Sequence, residues 1–475
     1  MRTAIINTRL ITFQGEDLGI IDDGVVSYSN GKIDFVGKTC EFDRSTAEQV
    51  IDGRKHVTMP GLINAHTHTG STILRGAAQD VPEIEWMNKA IRPFAKHLDE
   101  EDKILGSKLG VIEGLRSGIT TFGEYTSDVG RLIEEVYKPF NVRVSAAEII
   151  NEVVSKKESM GPKEIYELDG DKGKRSLNET DKLYDTYQES KLIDILYGPQ
   201  ALDMVSIDTL KKVKEHADKR MAKIHMHVAQ GERESLQVKG RYGKDSTTVN
   251  VLKGLNMLDS SLIAAHCHDT TQNEKEIMVK NDVDMVGCPS SIGMIDGIVP
   301  PVSDFLSLGG TVGLGTDQAP GPGTHNMFRE MRTASILTKT KYRDPTILPA
   351  WEILNLGCLG GAEVLGLDEK LGSIEEGKAA DIITIDISKA NLTPSVDYPF
   401  HNYIPNLVYS ATGFEVDNVV INGKFIIKES DLVDINEKMV LDEAQDRAVN
   451  LFKEAADDWE EVDSHLVDIA RQSLI

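Results

Sequence analysis

The sequence contains few cysteines, no long apolar run and no signal-like N-terminus. Its four cysteines are widely spaced among 475 residues and form no Cys-x-x-Cys pair, so a disulfide framework is not expected. No stretch of ~18 apolar residues predicts a transmembrane helix. The first residues lack the apolar core and small-residue cleavage site of a signal peptide. We therefore expect a protein of the reducing cytoplasm.

Basic residues are outnumbered by acidic ones. The chain has 52 Lys and Arg against 76 Asp and Glu, which gives a formal net charge of −24. Nucleic acids and anionic membranes are bound through basic patches. The sequence therefore disfavours both as partners and favours a small-molecule ligand.

Strand-like and helix-like segments alternate between residues 59 and 366. Short apolar runs such as 262–266 are followed by amphipathic segments such as 271–281. This alternation predicts parallel strands joined by crossover helices. About eight such units fit an α/β fold, a (β/α)8 TIM-like barrel.

The two ends of the chain have a different pattern. Residues 1–58 and 367–432 contain short β-forming runs, and Asn30-Gly31 is a typical hairpin turn. We expect these parts to form one small β-sandwich domain and residues 433–475 to form an acidic helical tail. The charged stretch 152–190 is interpreted as a surface excursion rather than a lid or an interface.

Four predicted strands end in residues that bind metals. His66 and His68 are two apart, so on a strand they face the same side. His227, His266 and Asp317 end three later apolar runs. The carboxyl ends of barrel strands meet at the active-site face, and imidazole and carboxylate groups suit zinc. The pattern predicts a hydrolytic metal site.

The motifs around these residues resemble the amidohydrolase superfamily, in particular the branch with cytosine and guanine deaminases, adenosylhomocysteine deaminase and chlorotriazine hydrolases. The matching segments are 59–68, 74–76, 264–267, 315–317, 326–332, 372–381 and 419–424. The resemblance implies that His66, His68, His227 and Asp317 bind one divalent ion, Zn²⁺ with Fe²⁺ as the alternative. It also implies that Asp317 moves the proton of the attacking water while His266 hydrogen-bonds to it, and that the chain forms a homodimer or larger homo-oligomer.

The position of Lys191 bears on the number of metal ions. Binuclear relatives carry a carboxylated lysine on the fourth strand, whereas here Lys191 precedes that strand. A single ion is therefore expected.

His225 lies two residues before a predicted ligand and is interpreted as a packed or second-shell histidine.

The candidate substrate contacts are Gln200, Gln230, Cys288, Trp86 and Glu124. The first two replace a histidine and a glutamate of the resembling family, and Cys288 lies in an altered motif. Glu124 is a candidate replacement acid, although a salt-bridged carboxylate is the favoured interpretation. The metal-binding set is thus retained while the specificity set is changed.

These observations predict a hydrolytic deaminase of a small cyclic amidine or guanidine N-heterocycle, which uses water and releases ammonia. A creatinine-like ring is favoured over cytosine, guanine or an aminotriazine, because Gln230 can both donate and accept a hydrogen bond but carries no acid. One alternative is a hydrolase of the same fold that opens a cyclic amide or displaces halide. A non-catalytic scaffold is disfavoured because every predicted ligand is present.

Overall fold

A computed structural model describes residues 1–15, 17–154 and 164–474 of the chain. Its strands are β1 (Arg2–Ile11), β2 (Ile20–Ser29), β3 (Lys32–Lys38), β4 (Gln49–Asp52), β5 (His56–Pro60), β6 (Leu62–His68), β7 (Ile119–Thr126), β8 (Arg143–Ile150), β9 (Ile193–Pro199), β10 (Ile224–Val228), β11 (Leu262–His266), β12 (Asp284–Gly287), β13 (Val312–Leu314), β14 (Asp317–Gln318), β15 (Ile382–Asp386), β16 (Val416–Ile421), β17 (Lys424–Lys428) and β18 (Asp431–Leu432).

Strands β6 to β14 form a closed parallel barrel. They follow one another in the order β13-β12-β11-β10-β9-β8-β7-β6-β14. Because β13 and β14 are two pieces of the same segment, pairing of β13 with β12 and of β14 with β6 closes the ring. The predicted (β/α)8 barrel is confirmed, and the carboxyl ends of its strands lie at one face.

The barrel strands alternate with helices, and the longer ones, such as Glu100–Arg116 and Ile207–Arg220, begin at a side-chain cap. The α-helices are Glu83–Glu85, Arg92–Ala95, Glu100–Arg116, Val129–Leu132, Gly170–Tyr187, Ile207–Arg220, Glu232–Tyr242, Thr248–Gly254, Gln272–Lys280, Pro289–Ile295, Val302–Ser307, Met327–Tyr342, Ala350–Asn355, Gly361–Leu365, Tyr403–Tyr409, Glu437–Glu454, Ala456–Glu461 and His465–Arg471. Within the stretch 152–190, the structure has the helix Gly170–Tyr187, which Asp169 caps. Residues 155–163 of that stretch lie outside the described residues.

Both chain ends contribute to a second sheet. Its order is β18-β17-β16-β15-β5-β1-β2-β3, and β4 pairs with the first half of β1. The predicted hairpin turn at Asn30-Gly31 joins β2 to β3, with positive φ at both residues as a type I′ turn requires. None of the described helices is long and apolar enough to cross a membrane.

A buried ion pair connects this sheet to the barrel. Arg143 at the start of β8 donates two hydrogen bonds to Asp381, Nε to Oδ2 at 2.8 Å and Nη2 to Oδ1 at 3.1 Å. Both side chains are at most 4% exposed. Since Asp381 immediately precedes β15 and also accepts from the backbone of Asn422, the pair fixes the sheet against the amino-terminal end of the barrel.

Candidate active site

The predicted ligands meet at the carboxyl end of the barrel. His66 and His68 come from β6, His227 from β10, and Asp317 from β14. One nitrogen each of His66, His68 and His227 lie within 4.8 Å of one another, and the same holds for ligand atoms of His66, His266 and Asp317. The structure therefore brings together all five residues that the strand-end pattern selected.

The three candidate histidine ligands are oriented by hydrogen bonds on their Nδ1 atoms. Nδ1 of His66 lies 2.9 Å from Nε2 of His225. Nδ1 of His68 lies 2.5 Å from the carbonyl oxygen of Tyr125, and Nδ1 of His227 lies 2.8 Å from the carbonyl oxygen of Gln200. With Nδ1 engaged, each ring turns Nε2 toward the common centre. Metal-binding histidines typically show this arrangement, in which the second nitrogen fixes tautomer and ring direction.

Asp317 is held so that one carboxylate oxygen faces the histidines. The Ser291 hydroxyl donates to Oδ2 at 2.5 Å, while Oδ1 lies 3.3 Å from Nε2 of His68 and 3.9 Å from Nε2 of His66. Burial opposes ionisation of Asp317, but the hydrogen bonds from His68 and Ser291 and the charge of His68 outweigh it and lower the pKa of the carboxyl. Asp317 is therefore a carboxylate at neutral pH.

Burial keeps most of the clustered imidazoles neutral. Desolvation, with the neighbouring histidines, lowers the pKa of His66 and His227 well below the usual value and also lowers that of His266. Burial acts on His68 in the same direction, but its contact with Asp317 raises the pKa of His68 overall. Neutral imidazole is the form that binds metals.

The donor set fits a divalent metal. Nε2 of His66 is buried and has no hydrogen-bond partner within the described part of the chain, which is costly for a polar atom unless it binds a ligand. Three imidazole nitrogens and a carboxylate oxygen form the mixed N/O set that suits zinc. These four side chains would hold the ion.

A cavity of about 330 Å³ opens above this cluster, a volume within the usual range of small-ligand pockets. Three predicted substrate contacts, Gln200, Gln230 and Trp86, line it together with His68 and Asp317. The sequence analysis therefore located part of the cavity wall as well as its floor.

Two other predicted contacts lie beside the cavity rather than in its lining. Glu124 accepts hydrogen bonds from the Thr69 hydroxyl at 2.5 Å and the Tyr137 hydroxyl at 2.6 Å, and it is fully buried. The next residue along β7, Tyr125, packs against His66 with 5.7 Å between the ring centres, so Glu124 points to the opposite side of the strand. Cys288 is buried among apolar core side chains such as Ile63.

Several residues of the site were not selected from the sequence. Glu83, Arg233, Ser291 and Asp296 line the cavity, and none of them ends a barrel strand. His325, in the loop before the helix Met327–Tyr342, is fully buried and hydrogen-bonds to threonine hydroxyls. Only a barrel topology with its loops in place could have identified these positions.

Known proteins resemble the chain along most of its length. A 5′-deoxyadenosine deaminase of Methanococcoides burtonii is 33% identical over 457 residues, covering 95% of this chain and 98% of the relative. A 5-methylthioadenosine/S-adenosylhomocysteine deaminase of Thermoanaerobacter pseudethanolicus is 35% identical over 411 residues, covering 86% and 90%. The crystal structure of an adenosine deaminase from Xanthomonas campestris with bound zinc superposes with a TM-score of 0.86 at 26% identity, covering 95% and 98%.

The family assignment follows from these likenesses and from the barrel with its histidine and aspartate cluster. Residues 57–426 match the amidohydrolase family, a stretch that begins in β5 and ends in β17. The chain therefore belongs to the amidohydrolase family, and it is a hydrolase of carbon–nitrogen bonds.

Proposed function

We propose that the chain is a metal-dependent deaminase of adenosine derivatives modified at the 5′ position, such as 5′-deoxyadenosine or 5′-methylthioadenosine. It would replace the 6-amino group by oxygen and release ammonia. The observation that carries the proposal is the cluster of three buried histidines and Asp317 at the floor of one cavity, in a chain whose relatives are named for these substrates. The creatinine-like ring expected from the sequence has no support from these relatives.

The residues at the floor can each be given a role. A divalent ion held by His66, His68, His227 and Asp317 would supply the Lewis acidity that brings the pKa of water toward neutrality. Asp317 accepts the proton of the attacking water, because Ser291 occupies only one of its carboxylate oxygens. His266, with its ring centre 5.3 Å from that of His66 and 5.2 Å from that of His227, is placed to hydrogen-bond to the same water.

The cavity walls suit a polar ring with a less polar substituent. The floor is formed by charged and polar groups, whereas Trp86, Met87, Leu98 and Met204 contribute apolar surface to the lining. A 6-aminopurine presents its reacting carbon to a polar floor, and a 5′ group without a hydroxyl gains from apolar contact. Gln230 can donate to or accept from a ring nitrogen through its amide.

A substrate panel tests this proposal. Metal-loaded protein is given 5′-deoxyadenosine, 5′-methylthioadenosine, S-adenosylhomocysteine, adenosine, creatinine, cytosine and guanine, and ammonia and the oxo product are measured. We expect ammonia from the adenosine derivatives, with kcat/KM highest for one of the 5′-modified compounds. The Asp317→Asn variant serves as the inactive control. Turnover of creatinine or of a cyclic amide, with no ammonia from any adenosine derivative, would refute the proposal.

A further inference from the structure

Deamination of an aminopurine needs a second proton donor. When water adds to the carbon that bears the amino group, the electrons of the ring C=N bond move to the adjacent nitrogen, and an acid placed there lowers the barrier. Asp317 is engaged with the proton of the water. Gln230 lines the cavity but carries no ionisable proton. The cavity should therefore hold another acid.

Three carboxyl groups line the cavity among the described residues, those of Glu83, Asp296 and Asp317. Glu83 accepts a hydrogen bond from Nε of the buried Arg233 at 2.8 Å, so its carboxyl group is already engaged. Asp317 is bound by Ser291 and directed at His68. The Asp296 side chain is 12% exposed, and its closest ionisable neighbour within the described chain is Nε2 of His268 at 3.9 Å.

The Asp296 carboxyl lies beside the loop that carries Gln230. Asp296 ends the helix Pro289–Ile295 that follows β12. A Cβ atom built on Gly231 would lie 3.6 Å from Oδ1 of Asp296 and 3.3 Å from Nε2 of His268. The Asp296 carboxyl is therefore within van der Waals reach of position 231, directly beside Gln230 in the chain.

We propose that Asp296 is a further catalytic residue, the acid that protonates the substrate ring nitrogen adjacent to the reacting carbon. This inference rests on the proposed deaminase function. As the carbon–oxygen bond forms, the ring nitrogen takes the proton of Asp296 and keeps it in the oxo product. The carbon–nitrogen bond then breaks with its electron pair on the amine, which takes the proton held by Asp317. The remaining hydroxyl proton returns to Asp296 through solvent, so one water is consumed and one ammonia is released.

The surroundings of Asp296 support this role. Burial raises the pKa of Asp296 to about 7, the charges of Glu83 and Asp317 act in the same direction, and Arg233 opposes them. His268 faces it from the loop after β11, and burial lowers the pKa of that imidazole to about 3, so it adds no positive charge at neutral pH. An acid with a pKa near the working pH is the most effective donor. Because the protonated form is the active one, activity should fall as the pH rises above 7.

The test compares metal-loaded wild-type protein with the Asp296→Asn variant. Activity is measured from about pH 5.5 to about pH 9, a range that brackets the pKa of Asp296. We expect kcat/KM for the best adenosine derivative to fall by ~10² or more, and the residual activity to lose the decline above neutral pH. The double variant Asp296→Asn/Gln230→Glu should have a kcat/KM at least about tenfold higher than that of Asp296→Asn, since it returns a carboxyl to the neighbouring position. Asp269→Asn, an exposed aspartate in the loop after β11, is the matched control and should behave as wild type.

A binding measurement separates a proton donor from a structural residue. Wild-type protein should bind a substrate analogue with a ring nitrogen at the reacting edge more tightly than its 1-deaza counterpart, and Asp296→Asn should lose most of that preference. Asp296→Asn with kcat/KM within about threefold of wild type, or with an unchanged decline above neutral pH, would overturn the assignment. Failure of wild-type protein to deaminate any adenosine derivative would instead overturn the proposed function itself.

Discussion

Replacement of His225 should weaken metal binding although this residue is not expected to touch the ion. Its Nε2 atom lies 2.9 Å from Nδ1 of His66, and both side chains are completely buried. When Nε2 of His66 binds a metal, its Nδ1 carries the hydrogen and donates it to His225. The His225→Leu variant removes the acceptor and leaves a buried N–H without a partner.

The size of the effect follows from that single contact. An unsatisfied buried donor costs about 1–3 kcal/mol, and each 1.4 kcal/mol changes an equilibrium constant about tenfold. The Kd for zinc should therefore rise by roughly 5- to 150-fold, which agrees with the 10- to 100-fold typical of such supporting contacts. His225→Gln offers a side-chain carbonyl that can accept the same hydrogen and should lose much less affinity.

Competition with a chromophoric chelator measures these affinities directly. Met226→Leu is a suitable control, because Met226 is buried on the opposite side of β10 and the substitution nearly conserves volume. Thermal unfolding of the metal-free proteins shows whether each variant folds. If His225→Leu binds zinc within about twofold of wild type while His66→Ala does not bind it, the hydrogen bond to His66 contributes nothing to the site and the reasoning is wrong.

Further expectations concern catalysis, metal content and the junction between sheet and barrel. Asp317→Asn and His266→Ala should each lower kcat by ~10² or more in steady-state assays at normal metal content, and near-normal turnover of Asp317→Asn would exclude its role in proton transfer. Elemental analysis should find about one divalent ion per chain, because Lys191 precedes β9; two tightly held ions would contradict this. Asp381→Ala should lower the free energy of unfolding in urea by about 3–5 kcal/mol, since it leaves Arg143 buried and unpaired, whereas Arg143→Met/Asp381→Leu should cost less.

The strand ends could be predicted from sequence because two constraints act on them together. A barrel strand is an apolar run, and its carboxyl end must lie at the same face as the others. His66, His227, His266 and Asp317 each follow such a run, so the topology alone places them near one another. The register of β14 against β6 then brings Asp317 beside Thr67, between the two β6 histidines.

Side-chain direction was harder to predict. Glu124 follows an apolar run as the candidate ligands do, but it alternates with Tyr125, which packs against His66, and so faces the helices outside the barrel. His225, by contrast, shares the inward side of β10 with His227 because the two are two positions apart on the strand. Alternation along a strand therefore sorts the two cases only once it is known which of two successive residues faces the barrel interior.

The outer wall of the cavity depends on loops and helix ends, which periodicity does not place. Asp296 and Ser291 belong to one short helix, Pro289–Ile295 with its following residue, and they have different neighbours: Ser291 donates to the Asp317 carboxylate, and Oδ1 of Asp296 lies near Gly231. The candidate metal ligands, in contrast, lie on β6, β10 and β14. With the roles proposed above, a substitution in this helix would alter how the ring is protonated while the strands keep the geometry of the histidine and aspartate cluster. This division explains why the clustering of the histidines and Asp317 could be predicted from the motifs while the substrate could not.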